Sequence, residues 1–291
     1  MVPAMTVRAA ADPVGEHDTR FWRVLHHYVD EARERMDAST VTRVAIDGTA
    51  ARRGHDCIAL CVDIDNARVL SATGGKDAAT VAACAEDPAA HGGDPANIEE
   101  VCIDMSPAFI EGTAASLPGA EVAFDKFHTV KIVNAAVDRV RRGEQKGQII
   151  LKGTRYIWLR NPENLSHRQR GMLDALPMHH LKTARAYRMR LALQDLYAME
   201  TPEQAEARLK RWYFRATHSR LEPAIDAAHT IGRHWNGILR WFHSKIANGI
   251  IEGINSLVQA AKAKARGYRS TRNLKAMVYL IAGKLDFRLP A

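Results

Sequence analysis

No apolar run in this 291-residue chain approaches the ~18 residues that a membrane-spanning helix needs. The opening stretch MVPAMTVRAAADPVGEHD has no apolar core of the kind a secretory signal carries. Four cysteines are too few for a disulfide framework at this length. Cys57 and Cys61 alternate to one face of a strand with no second Cys/His pair at finger spacing, so they read as buried thiols rather than zinc ligands. Internal repeats and low-complexity tracts are also missing. These absences describe a soluble, cytoplasmic protein of a reducing compartment, without a membrane partner. One further scarcity is local. From Asn248 to the end, Glu252 and Asp286 are the only carboxylate side chains.

What is abundant is positive charge, unevenly placed. Residues 1–125 carry 10 Lys and Arg against 21 Asp and Glu; residues 126–291 carry 31 against 12. A modest excess would be a set of solvated helix faces. An excess this large is the footprint of a polyanion, and nucleic acid is the favoured partner. The cations are spread over many helices and form no single amphipathic face, which argues against a membrane surface.

The order of elements is mixed α/β. Helical spacing over 19–37 precedes strands at 41–47, 55–65 and 68–75, with Asp65-Asn66 as a hairpin turn. A helix over 77–90 capped by Asp77 follows, then a buried strand at 98–104 and a helix opening at Pro107. A fifth strand at 120–125 leads into a helix through about Arg142. From about 143 to 235 only amphipathic helices remain, and a long helix over 237–265 and a last one over 271–285 close the chain. The pattern predicts a central sheet with helices on its faces.

Asp47 and Asp104 close the apolar strands VAID and VCID. Alone, each is a turn or capping aspartate. As a pair on neighbouring strand ends, where sites of α/β sheets gather, they would repel unless a proton or cation lay between them. Hard oxygen donors suit Mg²⁺ or Mn²⁺. Asn248, Glu252, Asn255 and Gln259 form one polar stripe on a late helix, and Glu252 would be the third ligand. A salt-bridged surface glutamate is the alternative, but it leaves the flanking amides unexplained; these would touch DNA or water. Asp125, with His128 three residues on, is a helix cap, a group supporting the metal ligands from behind, or a substitute for Asp104. His26-His27 and His179-His180 have no matching acid and read as structural or surface.

The stretches VAIDGTAARRGH (44–55), VCIDMSPAFIEG (101–112), FDKFHTVKIVN (124–134), LKGTRYIWLRNPENLS (151–166) and NGIIEGINSLVQAAKAKARGYR (248–269) resemble the DDE-class transposases of the ISL-three family of bacterial insertion sequences. The resemblance implies a ribonuclease-H-like fold with a large α-helical insertion before the last catalytic residue. It divides the chain into a remnant of an N-terminal helical DNA-binding region (1–40), a first part of the catalytic domain (41–142), the insertion (143–236) and final helices carrying the third acid (237–291). It carries a metal-binding catalytic triad onto Asp47, Asp104 and Glu252, with Asp125, His128, Asn248 and Asn255 around it. Two departures stand out: Gly48 occupies a position where the family often has an acid, and full-length members begin with a zinc ribbon and helix-turn-helix region.

The chemistry so implied is DNA cleavage and strand transfer with two divalent ions. The partners are element ends, target DNA and a second copy of the chain. Arg139, Arg141, Arg142, Lys262, Lys264, Arg266 and Arg269 are the expected phosphate contacts. Trp158, Trp235 and Trp241 either stack on an unpaired base or pack in the core. The rivals are a ribonuclease-H-like nuclease that cuts without joining, and a non-catalytic DNA-binding remnant.

Overall fold

The structure is a computed structural model, and it describes residues 5–52, 56–244 and 249–289. In chain order these form α1 (Val7–Ala11), α2 (Asp18–Glu34), β1 (Arg43–Ala50), β2 (Cys57–Asp63), β3 (Arg68–Gly74), α3 (Ala78–Ala89), β4 (Glu100–Ile103), α4 (Pro107–Ser116) and β5 (Glu121–Phe124). Seven helices follow: α5 (Lys126–Gln145), α6 (Arg155–Leu159), α7 (His167–Asp174), α8 (Lys182–Gln194), α9 (Pro202–Thr217), α10 (Glu222–Arg233) and α11 (Trp235–Ser244). The chain ends with α12 (Gly249–Lys264) and α13 (Thr271–Ala282). Two compact units result, one of residues 1–123 with 246–291 and one of residues 124–245. Among the described residues no helix is long and apolar enough to cross a membrane.

The first unit is built on the sheet, whose strand order is β3-β2-β1-β4-β5. Branched residues at alternate positions favour the extended pairing of β1 with β2 and of β2 with β3, both antiparallel. The turn between β2 and β3 is held by buried Asp63. Its two oxygens accept from Asn66 N (3.0 Å), Asn66 Nδ2 (2.9 Å) and Arg68 Nε (3.0 Å). β1 then pairs β4 in parallel, Arg43 opposite Glu100 and Ala45 opposite Cys102.

Helices cover both faces. On one face Ala45, Leu60, Val62 and Val69 meet Val29 of α2, Ile251, Ile254 and Val258 of α12 and Leu274 and Val278 of α13. Each such aliphatic side chain contributes about 1.5–3 kcal/mol by leaving water. On the other face α3 and α4 cross at Gly112, where an added Cβ would lie 2.7 Å from Val81 Cβ. α3 begins with a capping box, Asp77 accepting from Thr80 N and Thr80 Oγ1 accepting from Asp77 N.

After Phe124, the last residue of β5, the described residues of the second unit form helices and turns with no strand. Val137 and Val140 of α5, Trp158 of α6, Ala184 and Tyr187 of α8 and Ala224 of α10 share its core. Leu181, before α8, cannot cap that helix, and Glu144 at the end of α5 does so instead. Its carboxylate accepts from Lys182 N (2.8 Å), Thr183 N (2.7 Å) and Thr183 Oγ1 (2.7 Å).

The long helix expected over 237–265 is described as two, α11 and α12; residues 245–248 between them lie outside the described residues. The two helices serve different cores. Ile238 and Phe242 of α11 are buried in the helical unit, while Ile251, Ile254 and Val258 of α12 are buried against the sheet.

Candidate active site

Asp47 was expected to end its strand. Instead β1 runs on to Ala50, because β2 keeps pairing it: Asp47 lies opposite Leu60 and Ala50 opposite Cys57. On its other side the pairing with β4 stops at Ala45 and Cys102. Asp47 thus sits where β1 has lost one neighbour. The β1–β4 register pairs residue 43 with residue 100. Asp104 directly follows β4, the parallel neighbour of β1, so both aspartates lie beyond the paired stretch, toward the same end of these two strands.

Each carboxylate is oriented by nearby backbone. Gly48 N donates to Asp47 Oδ1 (2.7 Å), and Ser106 N donates to Asp104 Oδ1 (2.8 Å). Ser106 in turn caps α4 by accepting from Phe109 N (3.3 Å), with Pro107 at the first helical position. The local role of Asp104 is therefore a turn aspartate, and that role leaves Oδ2 without a hydrogen bond among the described residues.

α12 lies against β1 through its polar stripe. Asn255 Nδ2 donates to Asp47 Oδ2 (2.7 Å). Gln259 Nε2 donates to Thr49 Oγ1 (2.7 Å) and to the Ala50 carbonyl (3.1 Å), which also accepts from Lys262 Nζ (2.6 Å). The flanking amides thus contact the protein's own strand. Asn255 Oδ1 is buried with no partner among the described residues. Glu252 lies one turn before Asn255, in the first turn of α12, where a carboxylate is favoured by the helix dipole. It is exposed, and among the described residues no hydrogen bond or ion pair holds it. Asn248 lies outside the described residues.

The donors at this place, carboxylate oxygens and an orphaned amide oxygen, have the hard chemistry that a divalent ion takes. The arrangement is not closed: among the described residues no three His, Cys, Asp or Glu side chains gather closely enough to hold a metal.

In the helical unit, Asp125 caps α5, accepting from Phe127 N (2.7 Å) and meeting His128 Nδ1 (3.2 Å). Arg141 is buried; its Nε (2.9 Å) and Nη2 (2.8 Å) donate to Asp138 Oδ1 and its Nη1 to Gln145 (2.5 Å). That guanidinium is committed inside the bundle. Arg139 and Arg142 are exposed, ion-paired with Asp226 (3.1 Å) and Asp138 (3.4 Å) respectively. At the end of α12, Lys264, Arg266 and Arg269 are exposed, and Lys262 is held on the Ala50 carbonyl.

Trp158 is fully buried, its Nε1 donating to Thr154 Oγ1 (2.9 Å), which makes it a core residue. Trp235 meets Tyr213 edge-on and Trp241 meets Tyr197 edge-on. Sequence reasoning missed Arg190. Buried in α8, it donates to Asn134 Oδ1 (2.6 Å), to the carbonyls of Leu159 (3.1 Å) and Arg160 (3.2 Å) and to Asn161 Oδ1 (2.7 Å). The stretch LKGTRYIWLRNPENLS is thus clamped from within. Its place between Met189 and Leu191 in the run YRMRLAL was the available signal. Cys61 and Cys84 are buried free thiols, and burial pushes both above the ordinary thiol range.

Comparison with known proteins shows the family of the chain. Residues 44–278 match a family described as transposase, the DDE type of the ISL-three group. The transposase for insertion sequence element IS1001 of Bordetella parapertussis is 30% identical over 86% of this chain and 65% of its own length. The transposase for insertion sequence element IS1557 of Mycobacterium tuberculosis is 25% identical over 94% of the chain and 66% of its own length. The chain spans just under two thirds of these relatives.

Proposed function

The chain belongs to the ISL-three family of DDE transposases, and on that premise we propose that it carries the catalytic part of a transposase that cuts and joins DNA. The observation that carries the reading is that Asp47 and Asp104 lie beyond the paired stretch of neighbouring parallel strands β1 and β4, toward the same end, with Asn255 of α12 bonded to Asp47. Members of this family generally use divalent metal ions. In our reading Asp47 and Asp104 from the sheet and Glu252 from α12 hold two Mg²⁺ or Mn²⁺ ions. When bound, these ions would activate the attacking oxygen and stabilise the departing 3′-oxygen.

The protein's own contribution is positioning. Gly48 N and Asn255 Nδ2 fix the two oxygens of Asp47, and Ser106 N fixes one oxygen of Asp104. Glu252 is unpaired among the described residues, so drawing its carboxylate toward Asp47 breaks no contact there. Asn255 Oδ1 gains the partner it lacks when water or another donor enters the site. Asp125, with His128 against it, fixes the start of α5. The strand order, with an antiparallel meander beside a parallel neighbour, supports a ribonuclease-H-like assignment. Residues 143–236 are then the insertion. The exposed cations Arg139, Arg142, Lys264, Arg266 and Arg269 are the proposed phosphate contacts. Bringing two element ends together requires two copies of the chain, acting on DNA in the bacterial cytoplasm.

The test is nicking of element-end DNA with and without Mg²⁺, by the wild type and by Glu252→Gln. Loss of cleavage with retained DNA binding is expected; undiminished cleavage by the variant removes Glu252 from the site. One observation favours a non-catalytic DNA-binding chain: among the described residues the three acids do not gather. That reading gives salt-sensitive binding and no Mg²⁺-dependent product.

A further inference from the structure

α8 and α9 are held side by side in the helical unit. Buried Trp212 of α9 donates its indole Nε1 to the Met189 carbonyl of α8 (2.9 Å) and so forms the floor between them. Above that floor is a groove of ≈ 730 Å³ lined by both helices. Its cations follow from helical spacing. Arg185 and Arg188 are three apart on α8; Arg208, Arg211 and Arg215 recur three and four apart on α9.

The charge in the groove is poorly neutralised. Arg208 is paired with Asp195 (2.8 Å) and Lys210 with Glu206 (2.8 Å). Arg188 and Arg211 reach only backbone carbonyls, of Met178 and Ala207 (both 3.4 Å). Arg185 and Arg215 are exposed and have no carboxylate partner among the described residues. Four guanidiniums thus face one groove with no acid of their own among the described residues.

A second feature has a different origin. Phe214 is 63% exposed in the same groove. The His218 ring stacks on it, centroids 4.1 Å apart and planes 29° from parallel. His218 Nδ1 is fixed by the Phe214 carbonyl (2.8 Å), so the imidazole cannot swing away freely. An exposed phenylalanine is costly in water unless something covers it. A flat, pre-stacked pair flanked by unpaired guanidiniums matches a nucleobase with its neighbouring phosphates.

We propose that the α8–α9 groove binds single-stranded DNA, an unpaired base stacking on the Phe214–His218 pair and the flanking phosphates lying on Arg185, Arg188, Arg211 and Arg215. The proposal rests on the transposase reading only for the choice of DNA as the nucleic acid. It adds a site apart from the carboxylates and their cations. Chemistry that opens strand ends supplies unpaired bases for it.

The test uses the full chain, without divalent metal, and anisotropy of labelled oligothymidylate and of blunt duplex DNA. Phe214→Ala is expected to weaken oligothymidylate binding about tenfold or more and to leave duplex binding within about twofold. Arg211→Ala with Arg215→Ala is expected to lower the logarithmic salt slope for oligothymidylate by about 1.4, from ~0.7 per phosphate lost. Phe214→Leu, which keeps apolar bulk without a π-face, is expected to bind like the alanine variant, and circular dichroism of both follows folding. Wild-type oligothymidylate affinity in Phe214→Ala, or equal losses on single-stranded and duplex DNA, would overturn the proposal. Cleavage by the wild type and Glu252→Gln is scored separately. An inactive chain that still binds oligothymidylate through Phe214 sinks the transposase reading alone, and an active chain indifferent to Phe214 sinks only this one.

Discussion

At the residue scale, three side chains carry more than their number suggests. Asn255 donates to Asp47 Oδ2 while its own Oδ1 has no partner. Asn255→Ala should lower stability by about 1–3 kcal/mol, the usual cost of stranding a half-buried polar partner, measured by urea denaturation. Arg190 is the opposite case, a buried cation whose donors are widely used. Arg190→Met takes a donor from Asn134 Oδ1 and from two carbonyls, while Asn161 Oδ1 keeps Gln194 Nε2 (2.8 Å), and a loss of about 3 kcal/mol is expected from the same measurement. His234 packs edge-on against Phe124, and burial, then the Arg233 cation, holds its pKa below the ordinary value. The unfolded chain therefore binds that proton more readily than the folded one. Stability should fall as pH drops from about 6.5 toward the lowered folded value, and His234→Gln should flatten that part of the pH–Tm curve. Asp47 and Asp104 stood out in the sequence because each follows an apolar run, although β1 runs on past Asp47. Arg190 was not, because an arginine on an amphipathic helix looks the same whether it meets water or a carbonyl.

At the element scale, what the sequence revealed was whatever depends on neighbours along the chain. The Asp77 cap, the Pro107 helix start, the β2–β3 hairpin and helices α7 to α10 are local, and each is where spacing put it. Long-range contacts decided the rest. β1 outruns Asp47 because β2 continues to pair it, and α8 is capped by Glu144 from another helix. α11 and α12 read as one apolar period although their buried faces belong to different cores. The α3–α4 crossing also depends on a residue that periodicity cannot flag. At Gly112 an added Cβ would meet Val81 Cβ at 2.7 Å and the Ala78 carbonyl oxygen at 2.8 Å, and backbone cannot give way as a side-chain end can. Gly112→Ala should cost about 1–3 kcal/mol through overpacking, despite alanine's better helix propensity. The same change at Gly143, where nothing lies within 4 Å, should be neutral or stabilising by up to about 1 kcal/mol.

At the scale of the whole molecule, the charge imbalance is the property that sequence alone conveyed most directly, since it needs no fold. Structure changes which cations count. Arg141 and Lys262 spend their donors within the protein, whereas Lys264, Arg266 and Arg269 stand exposed at the end of the helix that carries Glu252. Arg269 is 84% exposed at the side chain and only 3.9 Å from Asp18, a pairing that salt screens readily. If these exposed cations hold duplex phosphates, each contact displaces condensed counterions, and affinity must fall along a straight line on logarithmic axes of salt. Lys264→Ala with Arg269→Ala should then reduce that slope by about 1.8, from ~0.9 per phosphate on duplex DNA. Lys262→Ala should change the slope less, because its Nζ, though still charged, is held on the Ala50 carbonyl. Duplex titrations between low and moderate salt separate the two outcomes. A slope unaffected by the double variant would mean that the cations beside Glu252 are solvated helix ends, and that duplex DNA is held elsewhere on the chain.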